Sequence, residues 1–249
     1  MTTTFELKVK IFADGADKQG MLDMYKHSYI KGFTTNPTLM RKAGITNYKA
    51  FAKSVLADIK DRPISFEVFA DEFNEMKRQA LEIAKWGDNV YVKIPVMNTK
   101  GEDSTQLIKE LADAGVKQNV TALMTLDQVR TVTKALKDGP SAYISVFAGR
   151  IADTGCDPLP IMKDALSIMK PYSQLELIWA SPRELLNVFQ ASDIGCHIIT
   201  VTNDILKKLS FVGKDLDKFS LETVKMFRED AIAARFMLED DQPFEKVGS

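Results

Sequence analysis

The sequence predicts an α/β chain folded as a closed (β/α)8 barrel with one additional C-terminal helix. Three observations lead there. Short β-rich runs alternate with amphipathic stretches eight times along 249 residues, the number of units and about the length such a barrel needs. Strands separated by single helices require parallel crossovers. Phe12-Ala13-Asp14-Gly15-Ala16-Asp17 holds a single glycine, whereas a doubly wound open sheet, the competing architecture, carries a glycine-rich phosphate turn after its first strand.

The expected strands are 8–13, 32–35, 64–69, 90–94, 116–120, 142–147, 175–179 and 198–201. The expected helices are 18–28, 48–60, 71–85, 104–114, 126–136, 158–169, 183–190 and 203–208, with a closing helix over 221–236. Boundary residues fit these units. Thr46 or Asn47 can cap the helix at 48, Asp71 the next, Ser181 before Pro182 the seventh, and Thr202 or Asn203 the eighth. Gly87, Gly115, Gly139 and Gly195 fall where a helix must stop before the following strand. With no linker, low-complexity run or repeat, the chain reads as one domain over 1–249, barrel 8–210 and closing helix 220–237.

The fourth strand is the centre of the pattern. Alternation in Asn89-Val90-Tyr91-Val92-Lys93-Ile94-Pro95-Val96 puts the valines and Ile94 on one face and Lys93 on the other. A lysine among such neighbours loses hydration, and the neutral amine is the form that attacks a carbonyl, so Lys93 is a candidate Schiff-base lysine. The plain alternative is a lysine on an exposed edge strand, or one whose head escapes to solvent. In the third strand Ser65 and Glu67 share a face, and in the sixth Ser145 and Phe147 do. A barrel gathers its strand C-termini into one mouth. That mouth would hold Asp14, Asn36, Glu67, Lys93, Asn119 with Thr121, Ser145 with Arg150, Ser181 with Arg183, and Thr200 with Thr202. Singly these are weaker: Asp14 and Asn36 suit turns or caps, and Glu67 with Lys93 could be a structural ion pair.

Composition narrows the partners. Lys plus Arg (33) against Asp plus Glu (34) gives a formal charge of −1, which argues against nucleic acid and anionic membrane and for a small molecule. No apolar run approaches the roughly 20 residues of a membrane span. Cys156 and Cys196 lack metal-type pairing and no apolar segment opens the chain, so reduced cysteines and a cytoplasmic location are expected. His27 and His197 have no partners at ligand spacing, and no metal site is expected.

Six ordered motifs then resemble those of the transaldolase family: Gly32-Phe33-Thr34-Thr35-Asn36-Pro37-Thr38-Leu39, Ser65-Phe66-Glu67-Val68, Val92-Lys93-Ile94-Pro95, Asn119-Val120-Thr121, Ser145-Val146-Phe147-Ala148-Gly149-Arg150 and Ala180-Ser181-Pro182-Arg183. The similarity runs over about 9–208, nearest the compact subfamilies related to fructose-6-phosphate aldolase. It implies a (β/α)8 barrel and class I aldol chemistry with no cofactor. Lys93 matches the lysine that attacks the C2 carbonyl of a ketose phosphate. Asp14 matches the carboxylate that takes the C4 hydroxyl proton as the C3–C4 bond breaks. Glu67 and Thr121 match the pair that holds a water for proton transfer. Asn36, Asn119 and Ser145 match contacts to the dihydroxyacetone unit, with Ser65 beside them in its motif. Arg150, Arg183 and Ser181 match the phosphate site. Members that cleave fructose 6-phosphate freely carry tyrosine at the place of Phe147 and glutamine at that of Glu67, so both positions favour transfer. Gly15 stands where threonine is usual, Val146 where proline is, and Val96-Met97 replaces a small or Thr-bearing pair, so the sugar is left open. The resemblance thus implies sugar-phosphate substrates and a homo-oligomer, with 221–236 as an interface helix. A Schiff-base aldolase, a transferase for another sugar and a non-catalytic sugar-phosphate-binding barrel are the competing readings.

Overall fold

The computed structural model describes residues 7–237. Eight parallel strands close in sequence order: β1 (Lys10–Asp14), β2 (Ile30–Thr34), β3 (Ile64–Glu67), β4 (Val90–Pro95), β5 (Gln118–Leu123), β6 (Ala142–Val146), β7 (Leu175–Trp179) and β8 (Ile198–Thr202). β8 pairs back onto β1, matching Asp14 with Thr202, so every strand has two neighbours and the barrel has no edge. The edge-strand alternative for Lys93 is thereby excluded.

Between strands run α1 (Lys18–Tyr25), α2 (Pro37–Lys42), α3 (Tyr48–Asp58), α4 (Phe73–Ala84), α5 (Thr105–Asp113), α6 (Leu126–Leu136), α7 (Ala148–Asp153), α8 (Leu159–Met169), α9 (Leu186–Asp193) and α10 (Asn203–Leu206). The sequence pattern did not announce α2 and α7. Each is six residues long, too short to show an amphipathic period. The start of β5 moves from 116 to Gln118 because Gly115, at φ +77°, still turns the chain, with the Val116 N–H bonded to the Leu111 carbonyl.

The caps are partly as expected. Asn47 accepts from the Ala50 N–H at 3.0 Å and starts α3. Asp71 does not cap α4, which starts one residue later behind Glu72; its carboxylate instead accepts from the Thr99 N–H and hydroxyl. Ser181 is not a cap either. It sits at φ +61°, and α9 begins only at Leu186. Thr202 precedes α10 without a side-chain bond.

Strand parity builds the interior in tiers. Phe12, Tyr91, Tyr143 and Ile198 stand two residues before Asp14, Lys93, Ser145 and Thr200, on the same face of the same strands. They form one apolar cluster with Ile178 and Ala180. Tyr91 and Tyr143 stack at 4.0 Å between centroids, and Phe12 meets Tyr143 edge-on at 5.7 Å. The polar mouth therefore rests on a dry aromatic floor. Gly32, paired with Phe12, makes room for it: a methyl group there would lie 2.5 Å from the ring.

Among the described residues, 208–237 form a second compact unit. Its helix α11 spans Leu216–Ala234. It starts five residues before the expected 221 because Asp215 accepts from the Lys218 N–H at 2.9 Å and supplies the cap. Phe211 and Phe219 pack at 5.5 Å, with the Lys214 ammonium 4.3 Å over the Phe219 ring. Among the described residues no helix is long and apolar enough to cross a membrane.

Gly32→Ala should overpack the floor and lower stability by about 1–3 kcal/mol. The urea unfolding midpoint measures this, and an unchanged midpoint would show that the ring can move aside.

Candidate active site

The strand C-termini open onto a cavity of about 510 Å³. Asp14, Asn36, Glu67, Lys93, Asn119, Thr121, Ser145, Phe147, Arg150, Ser181 and Arg183 all line it. Ser65 does not reach it. That side chain is wholly buried and accepts from the Asn119 amide at 2.9 Å, so the expected substrate contact is replaced by a support beneath Asn119.

Lys93 is held from two sides. Register places it beside Glu67 on β3 and Asn119 on β5. Its side chain is only 8% exposed, and Nζ lies 3.0 Å from the Glu67 carboxylate while donating to the Thr35 carbonyl at 2.9 Å. Burial this deep strips water from both charges, and a pair gains little net stability from attraction that mostly repays desolvation. Function is then the better reason for such a pair than stability.

Asp14 is the second carboxylate. Burial pushes its carboxyl above the usual carboxylate range; the Lys93 charge and the Thr34 hydroxyl oppose this, while the Glu67 charge adds to it. The Thr34 hydroxyl donates to Oδ1 at 2.8 Å and also meets the Thr200 hydroxyl. Asn36 serves two ends at once. Its oxygen caps α2 by accepting from the Leu39 N–H at 2.9 Å, and its amide donates to Asp14 Oδ2 at 3.4 Å. Asn36 therefore caps α2 and lines the cavity with the same side chain.

Ser145 donates to Asn119 Oδ1 at 2.7 Å, which fixes that amide with its N–H groups toward Ser65. Thr121 follows on the same strand. Its hydroxyl is buried with no partner among the described protein groups, and a buried hydroxyl facing a cavity is a natural bond for water or ligand. The next residue, Ala122, has φ +67° where β5 shifts register. A non-glycine residue in that region costs on the order of 1 kcal/mol or more.

At the far side Arg183 directs Nε and one terminal nitrogen at Asp153 and the other at the Ser181 hydroxyl and carbonyl. The guanidinium beside Asp153 holds that carboxyl below its usual range. Ser181 reaches this position through its left-handed backbone, and Gly149 allows it: a methyl group at Gly149 would lie 1.5 Å from the Ser181 carbonyl oxygen. The Arg150 guanidinium stands 6.0 Å from the Phe147 ring centroid.

Thr34, the Thr35 carbonyl, Asp153 and Ala122 were missed as site groups by sequence reasoning. Thr34 and Thr35 lie inside the quoted motif beginning at Gly32, but a main-chain acceptor and a left-handed alanine leave no residue-type signal. His197 Nδ1 accepts from the Leu177 N–H, and burial pushes the Cys196 thiol up to about 12. Among the described residues no three His, Cys, Asp or Glu side chains converge as a metal site would require.

The arrangement, a buried primary amine paired with one carboxylate and sharing its cavity with another and with guanidinium groups, suits a carbonyl substrate that carries an anionic group. Comparison with known proteins points the same way. The profile of the family described as transaldolase/fructose-6-phosphate aldolase matches residues 11–246. A protein of Dehalococcoides mccartyi named "Probable transaldolase" is 34% identical over 202 residues, covering 81% of this chain and 90% of that one. One of the same name from Streptococcus equi subsp. zooepidemicus is 35% identical over 203 residues with the same coverage. Among solved structures, dihydrodipicolinate synthase of Rhodopseudomonas palustris superposes with a TM-score of 0.56 at 15% identity, over 78% of this chain and 69% of that chain. The tryptophan synthase A-subunit of Pyrococcus furiosus does so at 0.54 and 12%, over 87% and 96%. These two are similar in fold alone. With the family profile spanning the barrel, the relatives matching over most of their length and the strand-end constellation in place, the chain is an enzyme of the transaldolase/fructose-6-phosphate aldolase family.

Proposed function

We propose that the protein transfers a dihydroxyacetone unit from a ketose phosphate, such as fructose 6-phosphate or sedoheptulose 7-phosphate, to an aldose phosphate through a Schiff base on Lys93. The observation that carries this is the buried Lys93 amine, 3.0 Å from one carboxylate and sharing its cavity with another.

Each step of this reading is supported by a group that lines the cavity. Glu67 accepts the proton that frees the Lys93 amine to attack the C2 carbonyl. The carbinolamine then loses water, with Glu67 and the unpartnered Thr121 hydroxyl holding the water that relays the proton. Asp14 removes the C4 hydroxyl proton, the C3–C4 bond breaks, and the departing aldehyde leaves an enamine on Lys93. A carboxyl raised by burial is matched to taking that proton and returning it when the acceptor aldehyde adds. Asn36, Asn119 and Ser145 hold the three-carbon unit between halves, and Arg150, Arg183 and Ser181 take the phosphate. Phe147 offers the enamine no proton, so the intermediate waits for an aldehyde.

One observation favours a different sugar as a second reading. Gly15 leaves open space where a methyl group would meet nothing within 4 Å, and it borders an adjoining cavity of about 650 Å³. Cys156 and Cys196 are free thiols, which fits a cytoplasmic enzyme. A homo-oligomer is supported by the exposure of Leu216, Val224 and Phe227 on α11.

Ketose consumption should depend on an aldose phosphate acceptor. Equal rates with and without acceptor would contradict transfer in favour of free cleavage. Glu67→Gln should lower kcat by about 10²-fold or more, as expected for loss of a positioned acid/base. Lys93→Met should abolish turnover while inorganic phosphate binding, followed by calorimetry, persists.

Asp14→Asn should separate activity from stability. A carboxyl raised in the fold binds its proton more tightly there than in the unfolded chain, so stability falls as pH rises through the window above the unfolded value of 3.8. The penalty grows as the buried carboxyl ionises, and removing the charge removes it. The variant should lose at least about 10²-fold in kcat and melt higher at pH 7, by about 2–4 °C for each kcal/mol relieved. A lower Tm at pH 7 would show that the attraction to Lys93 outweighs burial.

A further inference from the structure

We infer that Tyr48 is a positioning residue that keeps the β2–β3 seam open so that the Lys93 amine can occupy it. This rests on the function proposed above, and it starts from main-chain hydrogen bonding. β2 and β3 pair regularly through Phe33–Ile64 and Thr34–Ser65, and the Thr35 N–H continues the ladder onto the Ser65 carbonyl at 3.1 Å. In a parallel ladder the next bond would run from the Glu67 N–H to the Thr35 carbonyl. That bond is not made. The Thr35 carbonyl accepts from Lys93 Nζ at 2.9 Å instead.

The gap leaves the Glu67 N–H without its ladder partner, the Glu67 carbonyl would meet Pro37, which has no N–H, and buried main-chain groups must be paired. Tyr48 supplies both bonds. Its hydroxyl accepts from the Glu67 N–H at 2.7 Å and donates to the Glu67 carbonyl at 2.9 Å. One side-chain oxygen thus stands in for the absent strand. The ring is held by aromatic neighbours, with centroids 6.3 Å from Phe66, 5.7 Å from Phe69 and 5.8 Å from Trp86. Tyr48 stands at the start of α3, directly after its cap Asn47, so the helix N-terminus delivers the hydroxyl to the strand end.

The consequence is a division of acceptors. With Tyr48 holding Glu67, the Thr35 carbonyl is free for the amine, and the Glu67 side chain is fixed 3.0 Å from that same amine. Without the hydroxyl, the Glu67 N–H has Thr35 as its nearest regular partner, and closing that bond competes with Lys93.

Tyr48→Phe keeps the ring and removes both bonds. In the full chain it should lower kcat about 10-fold or more while KM for the ketose changes less than about 2-fold, since a small displacement at the reacting group costs rate rather than binding. Because Tyr48 acts through Glu67, adding Tyr48→Phe to Glu67→Gln should cost less than about 2-fold further. A purely structural tyrosine would lower Tm with kcat unchanged, or multiply with Glu67→Gln, and either result overturns the inference. The unsubstituted protein gives an independent test by residue-resolved amide exchange. The Glu67 amide should be protected although no strand pairs with it, and rapid exchange there overturns the clamp even if Tyr48→Phe does not fold. A protein that traps no substrate on Lys93 counts against the proposed function alone, and the amide result still decides the clamp.

Discussion

The buried contact between Lys93 and Glu67 is the constraint on which the site depends. Two charges are held where water cannot reach them freely, and this is possible only because the barrel closes. A closed barrel presents one polar tier at its mouth while the tier below, Phe12, Tyr91, Tyr143 and Ile198, is filled with apolar rings and branches. The floor excludes water from beneath, and the neighbouring strands put Glu67 and Asn119 level with Lys93 by register alone. The geometry at the mouth follows from strand pairing, with loops adding the outer ring of groups.

Charge is distributed around that pair by role. Asp14, raised by burial, lines the same cavity as Lys93 and Glu67 and feels the charge of both. Across the cavity the guanidinium groups are more open, and Arg183 is braced by Asp153 in place of solvent. In the proposed reaction the inner half moves protons in a poorly hydrated space, and the outer half binds and releases an anion exposed to salt and water.

The fold was legible because it is written in periods. Eight alternations and the Lys93 parity are enough to set strand order, closure and the mouth. That Asp14, Glu67, Lys93 and Thr121 line one cavity was legible for the same reason, each lying in the C-terminal half of its strand. What escaped was set by main-chain geometry. Asp71 and Ser181 look like caps by residue type, yet Asp71 reaches across to Thr99 and Ser181 adopts a left-handed backbone that only the absence of a side chain at Gly149 permits. Ser65 has the parity of a site residue but lies one tier too low to reach the cavity. The helices α2 and α7 are shorter than two turns, below the length at which hydrophobic period carries information. The Thr35 carbonyl, which holds Lys93, has no residue-type signal at all.

The most direct test of the account is to incubate the protein with fructose 6-phosphate and borohydride, with and without erythrose 4-phosphate, and to locate the product by intact mass and peptide mapping. The account predicts a reduced three-carbon adduct on Lys93 that is lost when the acceptor is present. An adduct on another lysine, or one whose yield ignores the acceptor, would contradict it.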